Sequence, residues 1–77
     1  MPFSTQDVRR SLMDRDPEFR RLAEEHSHCE SQLEQILKQS YLSSEDLIQE
    51  TYLKKLKLRL KDEMELMVAR HQHQAVH

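Results

Sequence analysis

The sequence predicts an all-α fold: an antiparallel two-helix hairpin, coiled-coil-like, assembled into a four-helix bundle or docked on a partner. Three observations predict it. The 77 residues include no glycine, no asparagine and no tryptophan, and the two prolines stand at Pro2 and Pro17. Without glycine the primed turns of β-hairpins lose their usual residue, which argues against a β-rich fold. Glu, Gln, Lys, Arg, Leu and Met dominate, the composition of long helices. Finally, apolar positions recur at intervals of three and four along two segments with a turn-like stretch between them.

Residues 1–15 are polar with scattered apolar positions. Val8 and Leu12 stand four apart, so the segment is expected to be weakly ordered or a short helix. Then comes "DPEF". Asp16 suits an N-cap and Pro17 the first helical position, where its missing N–H costs nothing. Glu18 suits the positive end of the helix dipole. From there Phe19, Leu22, His26, Cys29, Leu33, Ile36 and Leu37 cover an arc of roughly 100°. Glu34 and Lys38 stand as an i,i+4 pair on the opposite side. This helix is expected over about residues 17–39.

The stretch "SYLSSEDLI" at 40–48 reads as the turn, about 40–43. Ser43 with Asp46 three residues on is a capping-box variant, with Leu42 and Leu47 at staple positions. No Gly or Asn supplies a left-handed cap, so one continuous helix over 17–70 is the alternative. The second helix is expected over about 44–70. Its segment "KKLKLRLKDEM" at 54–64 alternates like a strand, with leucines at 56, 58 and 60. The longer pattern decides for a helix: Leu53, Leu56, Leu60, Met64 and Met67 fall within roughly 80°. Leu58 is left on the far side with Leu47, Thr51, Leu66 and Ala69. The helix thus has a second, weaker apolar face, a candidate surface for an oligomer or a partner. The tail 71–77, rich in histidine, is expected to fray.

Folding the two helices together buries Phe19, Leu22, His26, Cys29, Leu33 and Ile36 against Leu53, Leu56, Leu60, Met64 and Met67. A two-helix hairpin leaves its core open on two sides and needs more burial. The second face supplies it through a homo-oligomer, dimer or tetramer, or through another protein. Lys61, Asp62 and Glu63 are candidate charges for fixing register across a helix contact.

The segment "LKKLKLRLKDEM" at 53–64 resembles the signature of the YdcH family, whose usual form is L-K-K-x-K-L-x-L-K-D-E-(I/M). Leu53, Lys54, Lys55, Lys57, Leu58, Leu60, Lys61, Asp62, Glu63 and Met64 match it. Upstream, Pro17, Phe19, Leu22, His26, Leu33 and Ile36 are similar to the family's first helix. The resemblance covers about residues 12–68. It implies a small bacterial helical hairpin without an assigned biochemical function. The chain departs from the pattern at Cys29, usually leucine, at Leu56, usually polar, and in a turn without Gly or Pro.

Several function classes are disfavoured. Twelve basic and fourteen acidic residues leave a formal net charge of −2, no overall case for nucleic acid or an acidic membrane. The basic stretch 54–61 holds five basic residues in eight and keeps a nucleic-acid- or anionic-membrane-associated role as the alternative function. Acidic residues follow at once, however, and no aromatic interleaves for base stacking. His26, His28 and Cys29 invite a metal, but a closed zinc site wants four ligands, and no facing pair exists in the second helix. Core packing of His26 and Cys29 is the expectation, with a pH-sensitive histidine as a further reading. His71, His73 and His77 are read as tail residues. No cofactor is expected. Asp62 and Glu63 lack the cleft that acid–base catalysis needs, so no enzyme activity is expected.

Cys29 is the single cysteine, which excludes an internal disulfide and fits a reducing compartment. The N-terminal stretch shows no apolar core of a secretion signal. The longest apolar run, "LMVA" at 66–69, is too short to span a membrane. A cytoplasmic, non-enzymatic interaction module is the resulting expectation.

Overall fold

The computed structural model of the chain describes residues 5–75. Positions 1–4 of the N-terminal segment and 76–77 of the tail, with His77, lie outside the described residues. Three helices and no strand make up the described residues: α1 (Thr5–Arg15), α2 (Pro17–Leu37) and α3 (Ser44–Ala75). The molecule is elongated, 52 × 20 × 17 Å. The 32 residues of α3 set that length, since a helix rises about 1.5 Å per residue.

The break between α1 and α2 is a single residue, and Pro17 causes it. The proline ring pushes the residue before it out of the helical region, and Asp16 is extended at φ −110° and ψ 106°. Its carboxylate then caps α2. Oδ1 accepts from the N–H of Glu18 at 2.9 Å and of Phe19 at 3.3 Å. On the other side, the Asp16 N–H donates to the Leu12 carbonyl at 2.8 Å, completing α1.

Residues 38–43 connect α2 to α3 without a left-handed residue; no described residue has positive φ. The last turn of α2 tightens instead, with the Gln39 N–H donating to the Ile36 carbonyl three residues back at 3.2 Å. That tightening ends α2 at Leu37, slightly before the expected 39. Ser43 and Asp46 then start α3 with reciprocal bonds. The Asp46 N–H donates to Ser43 Oγ and the Ser43 N–H donates to Asp46 Oδ2, both at 3.1 Å. The chain is therefore interrupted here, and the continuous-helix alternative does not hold.

One core joins all three helices. Val8 and Leu12 from α1, Phe19, Leu22, Cys29 and Leu33 from α2, and Leu53, Leu60, Met64 and Val68 from α3 are buried together. Phe19 and Leu53 are the two large side chains sealed most completely. Contacts order the helices along each other: Thr5 meets Gln72, Arg9 meets Glu65 and Glu30 meets Lys57. As residue number rises along α1 and α2, it falls along α3.

Of the two readings of residues 1–15, the described part follows the short helix: residues 5–15 form an 11-residue helix whose Val8 and Leu12 enter the shared core. The fraying expected from residue 71 is corrected. Helix α3 runs to Ala75, because α1 packs beside that end. Gln72 Nε2 donates to Thr5 Oγ1 at 3.5 Å, and His71 and Gln72 are half-buried.

Candidate interaction surface on the third helix

Helix α3 is apolar on two sides, and α1 and α2 cover only one. Leu53, Leu60, Met64 and Val68 are buried, and Leu56 and Met67 pack at the margin of the core. At about 100° per residue, these six span roughly 120° of the helix. On the opposite side Leu47, Thr51, Leu58, Leu66 and Ala69 are all exposed. Leu58 keeps 59% of its surface in contact with solvent.

Sequence reasoning missed two members of this outer face. Ile48 is 70% exposed, more than Leu47, Leu58 or Leu66, and Tyr52 is also exposed. The signal existed: Ile48 stands eighteen residues before Leu66, five full turns, and so shares its direction from the helix axis. With Leu47, Thr51 and Lys55 the two line a shallow depression. Tyr41 in the connection and Leu37 at the end of α2 add exposed apolar surface at the same end of the molecule.

The expected core residues divide by depth. Phe19, Leu22, Cys29, Leu33, Leu53, Leu60 and Met64 are buried; Ile36, Leu56 and Met67 are half-buried against them. His26 is half-buried like these three, its side chain 22% exposed and its Nδ1 3.6 Å from Glu30 Oε1. Val8, Leu12 and Val68 are core residues the sequence reading omitted. Val68 is buried beside Met67 because α1 arrives at that end and widens the covered face of α3.

Lys61, Asp62 and Glu63 fix no register within the chain. All three are exposed, and no ion pair holds any of them among the described residues. Asp62 points away from the core, on the outer face. Glu65, one turn after Lys61, is paired with Arg9 of α1 at 4.0 Å. The ion pair between α2 and α3 is Lys57 with Glu30 at 3.5 Å. Lys54 reaches Glu50 at 3.6 Å, and Lys38 reaches Glu34 at 3.9 Å. Pairs this exposed add about 0–1 kcal/mol each.

These contacts also place the basic stretch 54–61. Lys54, Lys57 and Lys61 line a groove between α2 and α3 whose other wall carries Glu30 and Glu34. Lys55 and Arg59 are on the outer side. The five cations are thus divided between two surfaces, one of them facing carboxylates.

Cys29 is a free, buried thiol. Burial and then nearby Glu25 push its pKa up, against a smaller downward pull from Lys57. Such a thiol is a weak nucleophile and a poor metal ligand. Among the described residues no three His, Cys, Asp or Glu side chains gather as a metal site. On α2's solvent side Arg21 lies 2.7 Å from both Glu18 and Glu25. Its guanidinium is held further in its charged form by Glu18, then by Glu25. Among the described residues no helix is long and apolar enough to cross a membrane.

A family model described as a protein of unknown function, DUF465, matches residues 19–68. The chain belongs to the DUF465 family. YdcH-like small proteins are included in DUF465, so the resemblance carried by Leu53–Met64 and by the first helix pattern holds. The DUF465 match begins at Phe19, at the capped start of α2, and ends at Val68, the last core residue of α3. Helix α1 lies outside it. No curated protein and no solved structure matches the chain.

Proposed function

We propose that this DUF465 chain is a non-enzymatic, antiparallel helical hairpin that acts in the cytoplasm by helix–helix contact with another protein surface. One observation carries the reading. The outer face of α3 exposes Leu47, Ile48, Tyr52, Leu58 and Leu66 along one helix. Single exposed apolar residues are ordinary, whereas an aligned row is the mark of a contact surface. Two further features support it. The polar side of α2 is densely self-paired, as at Glu18–Arg21–Glu25, which leaves α3 as the face with unused apolar area. The unpaired thiol of Cys29 suits a reducing compartment.

The alternative, a phosphate-binding role for residues 54–61, has less to stand on. Lys54 and Lys57 already hold glutamates, Lys61 lines the same groove, and Lys55 and Arg59 are on the outer side, so the five do not form one patch.

A photo-reactive amino acid at position 58, expressed in cells, tests the proposal. Irradiation is expected to give protein adducts at position 58 and none at position 20, an exposed polar position on α2. Equal yields at the two positions, or none at 58, would remove the proposed contact face.

A further inference from the structure

The junction between α1 and α2 has the geometry of a hinge, and it lies away from the contact face proposed above. Rotation about the N–Cα bond of Asp16 moves α1 relative to α2. On one side of that bond, the Asp16 N–H donates to the Leu12 carbonyl and belongs to α1. On the other side, its carboxylate accepts from the Glu18 and Phe19 N–H groups, and its carbonyl accepts from the Arg20 N–H at 3.1 Å. Turning the bond breaks neither set. A residue before proline has a φ of about −120 ± 40° open to it, and Asp16 at −110° stands well inside that range.

The two sides of the hinge are held unequally. Phe19, Leu22, Cys29, Leu33, Leu53, Leu60, Met64 and Val68 all fall within residues 19–68, the stretch that the DUF465 model matches. Helix α1 adds Val8 and Leu12 to that core. Its contacts from Thr5 to Gln72 at 3.5 Å and from Arg9 to Glu65 at 4.0 Å are at the surface, where polar contacts contribute little. Two buried side chains are a weak hold for 11 ordered residues. A helix of that length is marginal in water by itself. The same contacts lay α1 along α3 between Glu65 and Gln72, and Val68 in that stretch is 4% exposed.

We propose that α1 is a lid. It lifts about Asp16 as a separate unit while α2 and α3 stay paired, and lifting uncovers the apolar end of the hairpin at Val68. Segments held by few buried contacts open at lower free energy than the core they cover. Cys29 lies on the other side of the account. It is roughly 20 Å along α2 from the hinge, in the part of the molecule that it shares with Leu53 and Leu56. Its thiol therefore stays shielded when α1 lifts and is reached only when the hairpin itself opens. The fold thus holds one apolar surface in the open, on the outer side of α3, and a second one concealed under α1.

Thiol labelling of the full chain tests the lid. Cys29 of the unmodified chain reports on the hairpin, and V68C in a C29A background reports on the surface beneath α1. Each rate is divided by that of the same chain in concentrated urea. V68C is expected to react at least about tenfold faster than Cys29, a difference of ~1.4 kcal/mol in opening free energy. Low urea should barely change the V68C rate, because lifting α1 exposes little surface, and should speed that of Cys29. L33A, at the far end of the hairpin, is expected to speed labelling of Cys29 and to leave that of V68C unchanged. Amide exchange of the unmodified chain gives a readout that needs no substitution. The amides of α1 should exchange by a route insensitive to urea, and those of residues 22–33 by one that steepens with it. A V68C rate no higher than that of Cys29, L33A speeding both thiols alike, or one urea dependence shared by α1 and α2 amides overturns the lid, since the three helices then open as one unit.

Discussion

Leu53 and Leu58 stand five residues apart on α3, and solvent reaches 2% of the first and 59% of the second. About 140° of helix rotation separates them. Leu53 is buried in the shared core, whereas Leu58 is exposed at the edge of the outer face, where it also lines the groove between α2 and α3. The same residue type therefore does two jobs on one helix, holding the chain together on one side and presenting an apolar surface on the other.

That division sets the first expectation. Leu53→Ala should cost about 2–5 kcal/mol, the usual range for a buried leucine in a core that cannot fully close the gap. Leu58→Ala should change the stability of the isolated chain by less than about 0.5 kcal/mol. Urea unfolding followed by circular dichroism at low protein concentration measures both. Equal losses would mean that Leu58 is buried in the single chain.

The junction at Asp16 gives the second. Its carboxylate satisfies two N–H groups at the start of α2, so Asp16→Ala should destabilise by about 1 kcal/mol. Asp16→Asn keeps an acceptor and should retain most of the stability. A similar loss in both variants would show that the charge on the cap, rather than its hydrogen bonds, is what matters.

The N-terminal helix gives the third. Leu12 is buried with Val8 in the shared core, so Leu12→Ala should cost on the order of 2–3 kcal/mol. Hydrogen exchange should then show faster amide exchange over α1 and over the last turns of α3, where Gln72 meets Thr5. Unchanged protection at the end of α3 would contradict the packing of α1 against it.

The Cys29 thiol gives the fourth. Its pKa is raised in the folded chain, mainly by burial, so the folded state favours the protonated form. A group of this kind contributes stability that is fully present below its unfolded pKa and lost as pH rises through the folded value. Stability should therefore decline in the alkaline range above the ordinary thiol pKa, and Cys29→Ala should remove that part of the decline. Alkylation of the folded chain at neutral pH should also be slower than that of free cysteine. Alkylation at the free-thiol rate would contradict the burial.

Much of this architecture was legible in the sequence, and the failures have physical causes. Asp16–Pro17 and Ser43–Asp46 carry their chemistry locally, so the starts of α2 and α3 could be read directly. Phe19, Leu22, Leu33, Leu53 and Leu60 repeat at helical spacing, so their burial could be read from period alone. The docking of α1 could not, because Val8 and Leu12 are too few to show a face, and their burial depends on where Pro17 redirects the chain. The burial of Val68 and the extension of α3 to Ala75 follow from that same docking. Lys57 with Glu30, and Arg9 with Glu65, are contacts between helices, invisible to reasoning about pairs within one helix. Ile48 and Tyr52 were legible but overlooked, since the pattern at that end was dominated by the capping residues.

The most direct test of the outer face is the native mass of the unmodified chain by sedimentation over a wide concentration range, beside Leu58→Glu. A monomer–dimer equilibrium in the micromolar range is expected, shifted little between low and moderate salt, because apolar contact rather than phosphate-type charge pairing drives it. Leu58→Glu is expected to remain monomeric throughout. An unmodified chain that is monomeric at every concentration would contradict self-association, and a dimer that Leu58→Glu leaves intact would contradict the use of Leu58 in the contact.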